Sequence, residues 1–164
     1  MIGPYEAWKT AHILSAAIVF GTGMGIAFFC WGGYRRAIRT SDIGALRTTL
    51  RLTVIGDACF TAPAVVFQAI SGLVLSDLLG WPLLSAWSVA VWTLFVATGA
   101  CWLPVVYIQW ALSREAERCS SVNALPAWFH RWFRAWAALG VPAFVAVLAI
   151  YFLMVAKPLA VSGI

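Results

Sequence analysis

The sequence predicts an all-α integral membrane protein: an antiparallel bundle of four transmembrane helices, with the N- and C-termini outside, on the periplasmic side. Three observations lead there. Of the 164 residues, 63% are apolar and only 10% charged, whereas a soluble domain carries about 25% charged residues. So few charges cannot cover a water-facing surface, so lipid must take most of the apolar area. The apolar residues gather into four runs, each long enough for the roughly 20 helical residues that cross a hydrocarbon core. Finally, nine Arg lie between alternate runs on one side, with only Lys9 and Lys157 on the other.

The first run spans residues 11–31, the second 52–75, the third 87–111 and the fourth 135–156. Inside lipid only helices and closed barrels satisfy every backbone hydrogen bond, and these runs show no strand alternation. The first run follows Glu6 and Lys9 rather than a positive cluster and exceeds the length of a signal core, so it is expected to be a membrane helix. The whole chain, 1–164, reads as one transmembrane domain without repeats.

Arg35, Arg36, Arg39, Arg47 and Arg51 separate the first and second runs; Arg114, Arg118, Arg131 and Arg134 separate the third and fourth. The positive-inside rule assigns both segments to the cytoplasm and the localisation to a bacterial inner membrane. Trp8, Trp81 and Trp87 are expected at the outer interface, and Trp31, Trp110, Trp128, Trp132 and Trp136 at the inner one. The stretch from Ala127 to Trp136 alternates aromatic and basic residues and is expected to lie along the inner surface. The net charge of +5 follows from this topology; with no groove-reading motif or continuous basic face, nucleic acid is not an expected partner. Cys30, Cys59, Cys101 and Cys119 fall within the membrane or on the cytoplasmic side, without CxxC or Cys/His spacing, so neither a disulfide nor a zinc site is expected.

Polar residues inside a span are costly and mark candidate sites. Lys9 and His12 share a helix face at the outer end of the first run. A neutral His12 imidazole is either a heme-iron ligand or an interfacial group bonded to a backbone carbonyl. At the same level Tyr151, Met154 and Lys157 make one stripe. Met154 is a candidate second axial ligand and Lys157 a partner for a propionate, although gap filling and snorkelling explain them equally. Gly21 and Gly25 permit close helix approach. The second run carries Asp57, Thr61, Ala64, Gln68 and Gly72 on one face. Asp57 is the only acid inside a run. It reads either as the structural partner of an inner Arg such as Arg51 or Arg134, or as a catalytic group on a proton or substrate path. Pro63, Pro104 and Pro142 are expected to kink three helices. His130 belongs to the inner surface, so it cannot share an iron with His12.

The segments Trp8-Lys9-Thr10-Ala11-His12, Phe20-Gly21-Thr22-Gly23, Gly56-Asp57, Phe60-Thr61-Ala62-Pro63, Trp102-Leu103-Pro104 and Tyr151 to Pro158 together resemble an uncharacterised bacterial family of four-helix integral membrane proteins, over almost the whole chain. The terminal helices, with Lys9-x-x-His12 and Lys157-Pro158, also resemble HemJ-type protoporphyrinogen oxidases. These are four-helix membrane proteins that carry heme b and oxidise protoporphyrinogen IX. That resemblance implies His12 as the heme ligand, with Lys9 and Lys157 near the porphyrin; it does not extend to the third helix, which lacks His and Lys. The expected function is a heme-b membrane redox protein, an oxidoreductase acting on a quinone or porphyrinogen. The alternative is a non-catalytic channel, transporter or assembly subunit with a polar path along Asp57, Thr61 and Gln68. A homo-oligomer would complete such a site at an interface, and the sequence leaves that open.

Overall fold

A computed structural model describes residues 3–156. Four helical segments cross the fold: α1 (Pro4–Thr40), a second made of α2 (Ile43–Gly56) and α3 (Ala62–Leu78) joined by a π-helical turn at Asp57–Thr61, then α4 (Ala86–Arg118) and α5 (Ala127–Ala156). No strand occurs among the described residues. All four segments are long and apolar enough to span a membrane. The helices run past the apolar runs on the arginine-rich side, so the connection there is only a tight corner. Ser41 adopts φ 53°, and the Asp42 carboxylate accepts from the Ala45 N–H to start α2, the usual role of Asp at an N-cap.

Consecutive segments are antiparallel. His12 meets Ser71, Thr22 meets Thr61, and Gly33 meets Thr49, so moving along α1 retraces the second segment backwards. The last two helices do the same, with Trp87 bonded to the Leu153 carbonyl and Tyr107 packed on Trp132. The closest approach is at Gly33, where an added Cβ would lie 2.5 Å from Thr49 Oγ1. Gly21, Gly23 and Gly25 have open space beside them. The close approach expected at Gly21 and Gly25 therefore occurs two to three turns further along, where α2 folds back.

The apolar core sits at the arginine-rich end. Cys30 and Ala37 of α1, Leu46 and Leu50 of α2, Ile108, Leu112 and Ala116 of α4, and Phe129, Phe133 and Trp136 of α5 are all buried there. Steps of four, as in Ile108–Leu112–Ala116 and Phe129–Phe133, keep these groups on one helix face. Phe133 stacks on Tyr34 at 3.7 Å and contacts Trp31 and Trp136. This corrects two expectations. The segment from Ala127 to Trp136 does not lie along the surface: it is the first part of α5, and every third or fourth residue is a core residue. Trp136 is likewise a core group rather than an anchor. Alternation of aromatic and basic residues fits a helix with one buried face as well as it fits a helix lying in the interface.

The four cysteines are free. Arg47, half-buried, donates from Nε to the Ala116 carbonyl at 3.0 Å and from Nη2 to the Cys119 carbonyl at 2.7 Å. A cation at a helix C-terminus satisfies orphan carbonyls and complements the dipole. Arg47→Gln is expected to remove about 2 kcal/mol and lower the melting temperature of the detergent-purified protein by about 4–8 °C, read by tryptophan fluorescence. Arg114→Gln, whose guanidinium lies over the Trp110 ring, is expected to change it far less.

Candidate functional site

Two polar clusters lie inside the helical segments. The outer one joins α1 to α3. His12 Nδ1 is 2.7 Å from Ser71 Oγ, and the Ser71 hydroxyl donates to the Phe67 carbonyl at 2.6 Å. A serine has one hydroxyl hydrogen. With that hydrogen on Phe67, Ser71 Oγ can only accept from the imidazole, so the His12 proton is on Nδ1 and Nε2 carries the lone pair. Among the described residues the ring's one hydrogen bond is at Nδ1, and the ring is half-buried. The residue after Ser71 is Gly72, whose added Cβ would stand 3.7 Å from His12 Cε1. Gln68 Nε2 donates to both the His12 carbonyl and Ser15 Oγ at 2.7 Å, and Ser15 Oγ donates to the same carbonyl at 3.1 Å. Ring and backbone of His12 are thus both held by α3.

The inner cluster surrounds Asp57, only 5% exposed. Trp102 Nε1 donates to Oδ1 at 3.4 Å. Orienting the Gln109 amide by its partners, Nε2 donates to Asp57 Oδ2 at 3.1 Å and Oε1 accepts from Trp136 Nε1 at 3.1 Å. Thr61, at the end of the same π turn, meets Thr22 Oγ1 at 3.0 Å. The cluster therefore ties the second segment to α1, α4 and α5 together. A proline makes this geometry. Pro63 has no N–H for the Cys59 carbonyl, and its ring would clash there. The chain widens by one residue, so that the Ala62 N–H reaches the Asp57 carbonyl five residues back. Such π turns recur at functional sites.

The structure brings His12, Ser15, Gln68 and Ser71 together, and separately Asp57, Thr61, Trp102, Gln109 and Trp136. It does not pair Asp57 with Arg51 or Arg134; among the described residues the one ion pair is Arg118 with Glu115 at 3.8 Å. The neutral donors Trp102 and Gln109 satisfy the carboxyl instead. Lys9 is exposed, 5.5 Å over the Tyr5 ring. Met154 is half-buried on α5, which meets α1 through Phe20 with Phe144 and Tyr151. Eight residues separate His12 from Phe20, a rotation of about 80° round the helix, so His12 turns to α3 while Phe20 turns to α5. Lys157 lies outside the described residues. His130 Nδ1 bonds Tyr34 OH at 2.7 Å, roughly 33 Å along α1 from His12. No group of three His, Cys, Asp or Glu able to hold a metal occurs among the described residues.

Ser15, Ser71, Trp102, Gln109 and Trp136 are the residues of these clusters that sequence reasoning missed as site residues. Gln109 had a signal, being the only amide in the third apolar run. Ser71 had a weaker one, three residues after Gln68 on the polar face.

A family model described as Predicted integral membrane protein (DUF2269) matches residues 6–158. No curated protein and no solved structure matches the chain.

Proposed function

Because the chain belongs to that family of predicted integral membrane proteins, we propose that it works in a bacterial inner membrane as a heme-b redox protein, with His12 as the iron ligand. The observation that carries the reading is the His12–Ser71 hydrogen bond: with the Ser71 hydroxyl hydrogen on Phe67, Ser71 Oγ accepts from Nδ1–H and Nε2 keeps its lone pair. Metal-bound histidines are commonly oriented in this way by an acceptor on the other nitrogen. Heme b would supply one-electron chemistry; the protein's part is to hold the imidazole neutral and aimed. Lys9 is free to reach a propionate, and Met154 and Lys157 are the candidates from the fourth span. Nine Arg between alternate spans support a topology with that end in the cytoplasm and His12 near the outer leaflet. A quinone or porphyrinogen dissolved in the bilayer is the substrate class in reach.

Heme titration of the detergent-purified apo chain tests this. Wild type is expected to bind one heme saturably, Ser71→Ala to bind about 10–100-fold more weakly, and His12→Ala not to bind saturably. Equal binding by all three overturns the assignment of His12.

A second reading rests on the Asp57 cluster and its π turn. They suit a path for protons or a small polar solute, in a channel, transporter or assembly subunit. Proteoliposome flux that is lost in Asp57→Asn, in a protein that takes no heme, would select that reading.

A further inference from the structure

On the arginine-rich side, α1 and α2 leave a groove between them that neither polar cluster uses. Its walls are Ile26, Phe28, Phe29 and Leu52, and its far end is Gly33, Thr49 and Arg36. The groove is about 510 Å³ and open along one side. Phe28, Phe29 and Leu52 are 73%, 74% and 61% exposed, so the apolar part faces the acyl chains. Arg36 lies eight residues beyond Phe28 along α1, about 12 Å further out, which is the step from chains to headgroups. Gly33 brings the helices together there: it has no side chain of its own, and the Thr49 side chain packs against its backbone.

The charge at this end is unbalanced. Arg36 is exposed, as are Arg35, Arg39 and Arg51, and no acid pairs with any of them among the described residues. Thr49 gives its hydroxyl hydrogen to the Ala45 carbonyl, so the cationic donor at the groove end is the Arg36 guanidinium. An apolar channel closed by an unpaired guanidinium at headgroup depth complements a single-tailed entry of an anionic lipid: phosphate on Arg36, acyl chain along Phe29 and Leu52. Guanidinium and phosphate pair through charge-assisted, often bidentate hydrogen bonds.

We propose that the α1–α2 groove is a binding site for an anionic phospholipid of the leaflet on the arginine-rich side. The lipid bridges the two helices across the Gly33 contact and anchors this end of the bundle at a fixed depth.

Native mass spectrometry of the detergent-purified full chain tests it, with phosphatidylglycerol and phosphatidylcholine of matched acyl chains as probes. Wild type is expected to retain phosphatidylglycerol at least about 5-fold more tightly, the factor corresponding to roughly 1 kcal/mol per Arg near an anionic surface. Arg36→Gln is expected to remove that preference, while Arg114→Gln, at the same end but outside the groove, keeps it. Leu52→Trp, which fills the groove, is expected to weaken binding of both lipids, with the helical content measured alongside to show that the bundle is intact. Equal retention of the two lipids by wild type overturns the proposal. So does an equal loss in Arg36→Gln and Arg114→Gln, which would make the preference a property of the whole basic face, and so does undiminished lipid binding in an intact Leu52→Trp.

Discussion

Replacing Gln109 with Leu is expected to destabilise the bundle by about 3 kcal/mol, because it strands two buried partners at once. Asp57 Oδ2 loses its donor and Trp136 Nε1 loses its acceptor, and each orphaned polar group costs about 1–3 kcal/mol at a buried position. Asp57→Asn should cost less, since an amide oxygen still accepts from Gln109. Gln109→Leu and Asp57→Ala should not add: in that double variant the carboxyl that Gln109 served is already gone. A double-mutant cycle on thermal unfolding in detergent measures this, with an interaction energy of roughly 1–2 kcal/mol expected. Additive losses would mean that the amide and the carboxyl act independently, contrary to the geometry.

Phe133→Ala is the other large effect. Phe133 is 1% exposed and packed on Tyr34, Trp31 and Trp136, so truncation leaves a cavity where α1 and α5 meet. A loss of about 3–5 kcal/mol is expected. That corresponds to a drop in melting temperature of more than about 6 °C, with helical content by circular dichroism retained at low temperature. Phe28→Ala is the control: the side chain is 73% exposed, meets lipid in either form, and should change stability by well under 1 kcal/mol. Comparable losses in both would place the packed end of the bundle elsewhere.

These two sites show which parts of the molecule were legible in the sequence. The spans and the basic end were, because the bilayer imposes a length and a polarity that hydropathy and Arg positions record directly. The polar face of the second segment was legible too: Asp57, Thr61 and Ala64 are buried on it, and Gln68 makes hydrogen bonds from it. What was not legible is how that face divides. Gln68 and Ser71 serve His12 on α1, whereas Asp57 serves α4 and α5, because the turn widened by Pro63 changes the helix register between them. Spacing rules at 3.6 residues per turn cannot anticipate an added residue. The partners of Asp57 were hidden for a simpler reason. Trp102 and Trp136 look like membrane aromatics, and only their indole N–H groups, aimed inward, make them part of a polar site. The segment from Ala127 to Trp136 was misread through the same ambiguity: its buried face and its basic face are both real, but the buried face meets protein.

In the function we propose, His12, oriented by Ser71, ligates heme iron through Nε2. The most direct measurement is a reduced-minus-oxidised absorption spectrum of the detergent-purified protein from heme-supplemented cells, with His12→Ala purified beside it. The account predicts a b-type difference band in wild type that is absent in His12→Ala, although both variants show the same helical content. A colourless wild type, or a band undiminished in His12→Ala, would contradict it, and a colourless wild type would direct attention to the buried cluster around Asp57.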